Sequence, residues 1–97
     1  MEPLEQIKQI IQQHKAELKT KYFVREIGIF GSYVRGEQAD NSDIDILIDL
    51  DRPIGFVKFM KLEKYISDLI GIKVDLVTKK ALKPYIGKRI LQEVQYV

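Results

Sequence analysis

The sequence predicts an α/β fold, α+β in its layering: a small mixed sheet of three to four strands flanked by helices. Three observations carry this. Two long stretches repeat apolar residues at helical spacing, one eight-residue run alternates strictly, and two short apolar runs read as further strands. The elements read α-β-α-β-α-β-α, and a short sheet with interleaved helices buries its apolar residues as a layered sandwich.

Leu4, Ile7, Ile11, His14 and Leu18 recur at three- and four-residue steps, so residues 3–20 are expected as one amphipathic helix with Pro3 in its first turn. His14 falls on that apolar stripe and is expected as a packed structural residue. Glu26 to Phe30 (EIGIF) is a short strand ending at Gly31. Residues 32–36 hold a turn or two of helix, with Ser32 as N-cap and Gly36 as the stop. Asp40-Asn41-Ser42 is turn chemistry. In DIDILIDL, residues 43–50, Ile44, Ile46, Ile48 and Leu50 face one way and Asp43, Asp45, Leu47 and Asp49 the other. Pro53 and Gly55 break the chain before a second long helix, 56–70, which Gly71 caps. Its apolar face is wide enough to leave a part over for a dimer or partner interface. Lys73 to Val77 is a third strand, and Leu82 to Val94 a last helix with Pro84 in its first turn. The tail Val94 to Val97 is either packed or partner-facing.

The chain has 97 residues, read as a single domain, 1–97, with no repeat or linker. It has no cysteine, which excludes disulfides, Cys-zinc sites and thiol nucleophiles, and its one histidine argues against Ser-His-Asp chemistry. No apolar run approaches the ~20 residues of a membrane span. MEPLEQIKQII carries acids where a signal peptide carries a basic patch, so a cytoplasmic protein is expected. The net charge of +2 does not read as a DNA-binding footprint. Residues 1–51 hold 6 basic and 10 acidic side chains, and residues 52–97 hold 10 and 4. Lys79, Lys80, Lys83, Lys88 and Arg89 form a basic cluster, read as a solvated face or as a surface for an acidic partner or nucleotide phosphates.

Gly31-Ser32 is followed by ten residues and then Asp43-Ile44-Asp45. On a strand the two acids share a face, roughly 6.6–7 Å apart at Cα. They repel unless neutralised, and Mg²⁺ takes one or two carboxylates plus substrate phosphates. Gly31 allows a sharp turn and Ser32 opens a helix whose free N–H groups favour an anion. A phosphate cradle one loop from a carboxylate pair is equipment for nucleotidyl or phosphoryl transfer from a metal-bound triphosphate. Cradle and acids meet only if the first two strands are antiparallel. If the third is parallel to the second, Asp75 comes beside Asp43 and Asp45, with helix 56–70 as a right-handed crossover. Gly31 to Gly36 has P-loop spacing, but Glu37-Gln38 stand where Lys-Ser/Thr is required. Asp49 and Asp51 lie too far along the strand to share a metal and are expected as a solvated strand end. Arg35 is open to two readings, a contact to the β- or γ-phosphate or a salt bridge to a site carboxylate.

GSYVRGEQADNSDIDILIDL, KVDLVT and LKPYIGKRILQEVQYV together resemble the signature of the polymerase-β-like nucleotidyltransferase superfamily, and within it the minimal nucleotidyltransferases. The resemblance covers nearly the whole chain. It implies the nucleotidyltransferase fold and transfer of a nucleoside monophosphate to a hydroxyl with two Mg²⁺ ions. It further implies Asp43 and Asp45 as metal ligands, Asp75 as the third carboxylate, and Gly31 and Ser32 as the triphosphate-binding turn. Many members resemble antitoxins paired with a HEPN-domain toxin, on which they adenylylate a tyrosine. The expected reaction is therefore Mg²⁺-dependent transfer of AMP from ATP to a partner's tyrosine. The alternatives are an idle module that neutralises its partner by occlusion, and a nucleotidyltransferase acting on RNA or a small molecule. No residues are left over for an acceptor domain, so the acceptor is expected on another chain.

Overall fold

A computed structural model describes residues 3–97; the leader reading at Met1 and Glu2 lies outside them. Helices α1 (Pro3–Gln13) and α2 (Lys15–Tyr22) precede strand β1 (Val24–Phe30), and short helix α3 (Ser32–Arg35) leads to β2 (Ile44–Leu50). Helix α4 (Gly55–Ile70) connects to β3 (Val74–Thr78). A 3₁₀ turn (Lys79–Ala81), helix α5 (Pro84–Glu93) and strand β4 (Gln95–Tyr96) complete the chain. None of the described helices is long and apolar enough to cross a membrane.

The sheet order is β3-β2-β1-β4. β1 runs antiparallel to β2 with Phe30 opposite Asp45, and β2 runs parallel to β3 with Asp45 opposite Asp75. Both strand directions required by the carboxylate argument are present, and the sheet is mixed. Ile44, Ile46 and Ile48 of β2 are fully buried with Ile27 and Ile29 of β1 against Ile7, Ile11, Leu18, Leu62 and Ile66 of α1, α2 and α4. Each such side chain removed from water contributes about 1.5–3 kcal/mol. That face anchors the strands. The other face of β2 carries Asp45, Leu47 and Asp49, with Leu47 buried between the two acids.

Four expectations are corrected. The first helix is broken at His14, whose backbone N–H reaches Ile11 O and whose Nδ1–H donates to the Ile10 carbonyl at 2.8 Å. That tight turn ends α1, while the apolar spacing continues across it unchanged. Ser32 is the first residue of α3 and Gly31 its N-cap, at φ 80° and ψ −152°. Asp43 stands just before β2, which begins at Ile44. The last helix starts at Pro84, and the tail forms a fourth strand, β4, antiparallel to β1 at Gly28 and Ile29. Gly28 makes that passage possible: a Cβ there would lie 2.6 Å from Val94 Cγ2. On α4, Phe56, Val57 and Met60 are exposed, so part of its apolar face is indeed left over.

Candidate active site

The site is built where β1 ends and β2 and β3 begin. β1 delivers Gly31 directly beyond Phe30, the residue opposite Asp45. The approach is close: an ideal Cβ on Gly31 would sit 2.0 Å from Asp45 Oδ2. Its positive φ also favours glycine. Sterics and backbone conformation thus demand the same residue type at the turn. Ser32 follows, half-buried at the start of α3.

Asp45 and Asp75 are neighbours across the parallel β2–β3 ladder, where strands lie about 4.8 Å apart. Asp43 lies two residues before Asp45, exposed, with Lys73 Nζ 4.0 Å from its Oδ2. Asp45 senses the other two acids. Burial, then Asp75 and then Asp43 push the Asp45 carboxyl above the usual aspartate range, and Arg35 only partly offsets them. Such crowding is relieved by a cation. Among the described residues no three His, Asp or Glu side chains form a set that could hold a metal by itself. Paired carboxylate oxygens completed by phosphate oxygens are, however, what Mg²⁺ accepts, so the donor set fits that ion.

Arg35 does not pair with Asp43, Asp45 or Asp75. Its Nη1 donates to Glu93 Oε1 at 2.6 Å and its Nε to Glu37 Oε2 at 3.0 Å. Glu93 is the residue that sequence reasoning missed. Its second oxygen, Oε2, accepts the Gly31 N–H at 2.8 Å. Burial would raise this carboxyl, but hydrogen bonds from Arg35 and Gly31 and the charges of Arg35 and Arg89 outweigh it. Its pKa lies below the ordinary glutamate value. Nothing in the local pattern LQEV marks this, because Glu93 lies 62 residues from Gly31.

A cleft of about 340 Å³ lies here, between Gly31, Arg35 and Asp45 on one side and Tyr85, Arg89 and Glu93 of α5 on the other. A larger hollow of about 490 Å³ lies at the opposite end of β2 and β3, lined by apolar Phe56, Phe59, Leu76 and Ala81. It holds none of the converging acids. Asp49 and Asp51 stand at that far end, and Arg25 Nε meets Asp51 Oδ1 at 2.8 Å and Asp49 Oδ2 at 3.9 Å. They are paired acids outside the site. The basic cluster is also divided: Arg89 lines the cleft, Lys83 and Lys88 line a separate hollow, and Lys79 meets Glu26 Oε1 at 3.4 Å.

Comparison with known proteins gives the family and the fold. The family described as nucleotidyltransferase domain matches residues 11–97. Protein adenylyltransferase MntA of Thermococcus cleftensis is 51% identical over 94 residues, covering 97% of this chain and 95% of the relative. A toxin–antitoxin crystal structure with AMP-PNP superposes with a TM-score of 0.74 at 22% identity, covering 93% of this chain and 70% of that one. The structure of a tri-AMPylated Shewanella oneidensis HEPN toxin in complex with MNT antitoxin gives a TM-score of 0.65 at 18% identity. It covers 92% of this chain and 70% of that one. At those identities the two structural likenesses speak to the fold alone.

Proposed function

The chain belongs to the nucleotidyltransferase domain family, and from that premise we propose that it transfers AMP from Mg²⁺-bound ATP to a tyrosine hydroxyl of a HEPN-domain partner in the cytoplasm. The observation that carries the chemistry is the register placing Asp45 beside Asp75 with Gly31 packed onto Asp45. The protein acceptor is supported by the name of the MntA relative, which matches nearly end to end. The HEPN partner is supported by the toxin complexes among the fold neighbours.

Two Mg²⁺ ions, when bound, supply charge neutralisation for the triphosphate and lower the pKa of the attacking hydroxyl. Asp43, Asp45 and Asp75 would hold them. Gly31 and Ser32 set the turn against which the phosphates lie, and Gly31 keeps that turn free of any side chain. The acceptor oxygen attacks the α-phosphorus in line. The bond from that phosphorus to the bridging oxygen breaks and pyrophosphate leaves. Asp75, exposed at the edge of the site, takes the hydroxyl proton.

The test mixes the chain with a HEPN-domain partner and ATP labelled at the α-phosphate. Label should move to the partner, and peptide mass spectrometry should place AMP on a tyrosine. A variant with Asp43 and Asp45 both changed to Asn should transfer none. If that variant silences the partner as well as the parent chain does, neutralisation is by occlusion and the catalytic reading falls.

A further inference from the structure

A triphosphate entering the cleft meets carboxylates first. Asp45 and Glu93 line it, and Asp43 and Asp75 act on Asp45, so a triphosphate there needs cationic partners. Two arginines line the cleft, and their situations differ. Arg35 is held by two carboxylates, Glu93 at 2.6 Å and Glu37 at 3.0 Å, so its charge is already compensated. Arg89 stands one helical turn before Glu93 on α5, on the same wall of the cleft. Both Glu93 oxygens are occupied, one by Arg35 and one by the Gly31 N–H. Among the described residues no carboxylate makes an ion pair with Arg89. The cleft therefore contains one guanidinium held in two ion pairs and one that is held in none.

We infer that Arg89 is the side chain that binds the β- and γ-phosphates of the nucleotide, while Arg35 and Glu93 are positioning residues that hold the Gly31 turn. This rests on the nucleotide-site reading above. The guanidinium fork suits two phosphate oxygens at once. Grip on the β- and γ-phosphates also favours departure of pyrophosphate, where negative charge accumulates as the bond to the α-phosphorus breaks.

The experiment is titration calorimetry of the full chain with ATP, ADP and AMP in Mg²⁺, with a melting curve for each variant. Arg89→Ala should weaken ATP binding by at least ~10-fold, with the loss shrinking from ATP to ADP to AMP. Arg89→Lys should retain part of the affinity, because it keeps the charge and loses the fork. Lys88→Ala, one residue away on a separate hollow, should leave all three affinities unchanged. Undiminished ATP binding by Arg89→Ala, with Mg²⁺-dependent binding by the parent chain, overturns the inference and leaves the site reading intact. So does an equal loss for ATP and AMP, which marks a structural role. A parent chain that binds no ATP removes the site reading and this inference with it.

Discussion

At position 31 a side chain would collide with the Asp45 carboxylate, 2.0 Å from the ideal Cβ, and would also have to hold φ near +80°. Gly31→Ala is therefore expected to cost about 1–3 kcal/mol in backbone strain and to abolish Mg²⁺-dependent ATP binding. Gly36 provides the comparison. Its φ is +72°, but a Cβ there meets nothing within 4 Å, so Gly36→Ala should cost only about 1–2 kcal/mol and leave binding intact. Melting curves and calorimetry on the pair separate the two effects. The acids divide in the same way. Asp43→Asn, Asp45→Asn and Asp75→Asn should each lower the transfer rate by at least ~10²-fold in steady-state assays. Asp49→Asn, at the far end with Arg25, should stay within ~3-fold. In metal-free buffer Asp45→Asn should melt higher than the parent, since it removes a half-buried charge that two neighbouring acids oppose. A lower melting temperature would show that the crowding has been misjudged.

Among the elements around the site, α5 is joined to the β1–α3 turn through Glu93. Glu93 ends α5, precedes β4, and ties both to the β1–α3 turn through Gly31 and Arg35. Because its pKa is depressed in the folded chain, the folded state binds fewer protons than the unfolded one in that window, and stability rises with pH there. The contribution is complete above the unfolded glutamate value of about 4.3 and is lost as pH falls through the folded value. Glu93→Gln offers one oxygen to two donors, so one of them goes unpaired. It should melt lower than the parent at pH 7, and the gap should narrow as pH falls below the unfolded glutamate value of about 4.3. A gap that persists unchanged in acid would mean the effect is one of packing, not of charge.

For the whole molecule, α1, α2 and α4 brace one face of the sheet, while α5 contributes only Gly87 as a buried residue. The acid-bearing edge is held from one side by a dense core and faces a lightly packed helix on the other. Ligand binding across that edge should feed directly into global stability. At a free ligand concentration of about 100 times Kd, linkage adds about 2.7 kcal/mol. In a domain of this size that is an upward shift of about 10–20 °C in Tm. Scanning calorimetry with Mg²⁺ and a non-hydrolysable ATP analogue should show it. The double Asp43→Asn, Asp45→Asn variant should show little shift, and an equal shift in both proteins would place nucleotide binding elsewhere.

The three main strands, helix α4 and the placing of Gly31 and Asp75 beside Asp45 were legible because each depends on short-range regularities. Alternation in DIDILIDL set the core face of β2, and strand direction then followed from requiring the turn and the acids to meet. What the tertiary structure alone decided has no period to read. A two-residue strand such as Gln95–Tyr96 is too short to alternate, and it forms because Gly28 lets the tail lie across β1. His14 sits on a stripe that continues through the helix break, since hydrogen bonding and not apolar spacing ends α1. The pairing of Arg35 with Glu93 spans 58 residues, and that of Gly31 with Glu93 spans 62. The separation of Arg89 from its lysine neighbours depends on which side of α5 meets the cleft. Local chemistry determines which groups the chain can offer; the packing of α5 and β4 over the sheet determines which of them are already neutralised and which remain to meet a ligand.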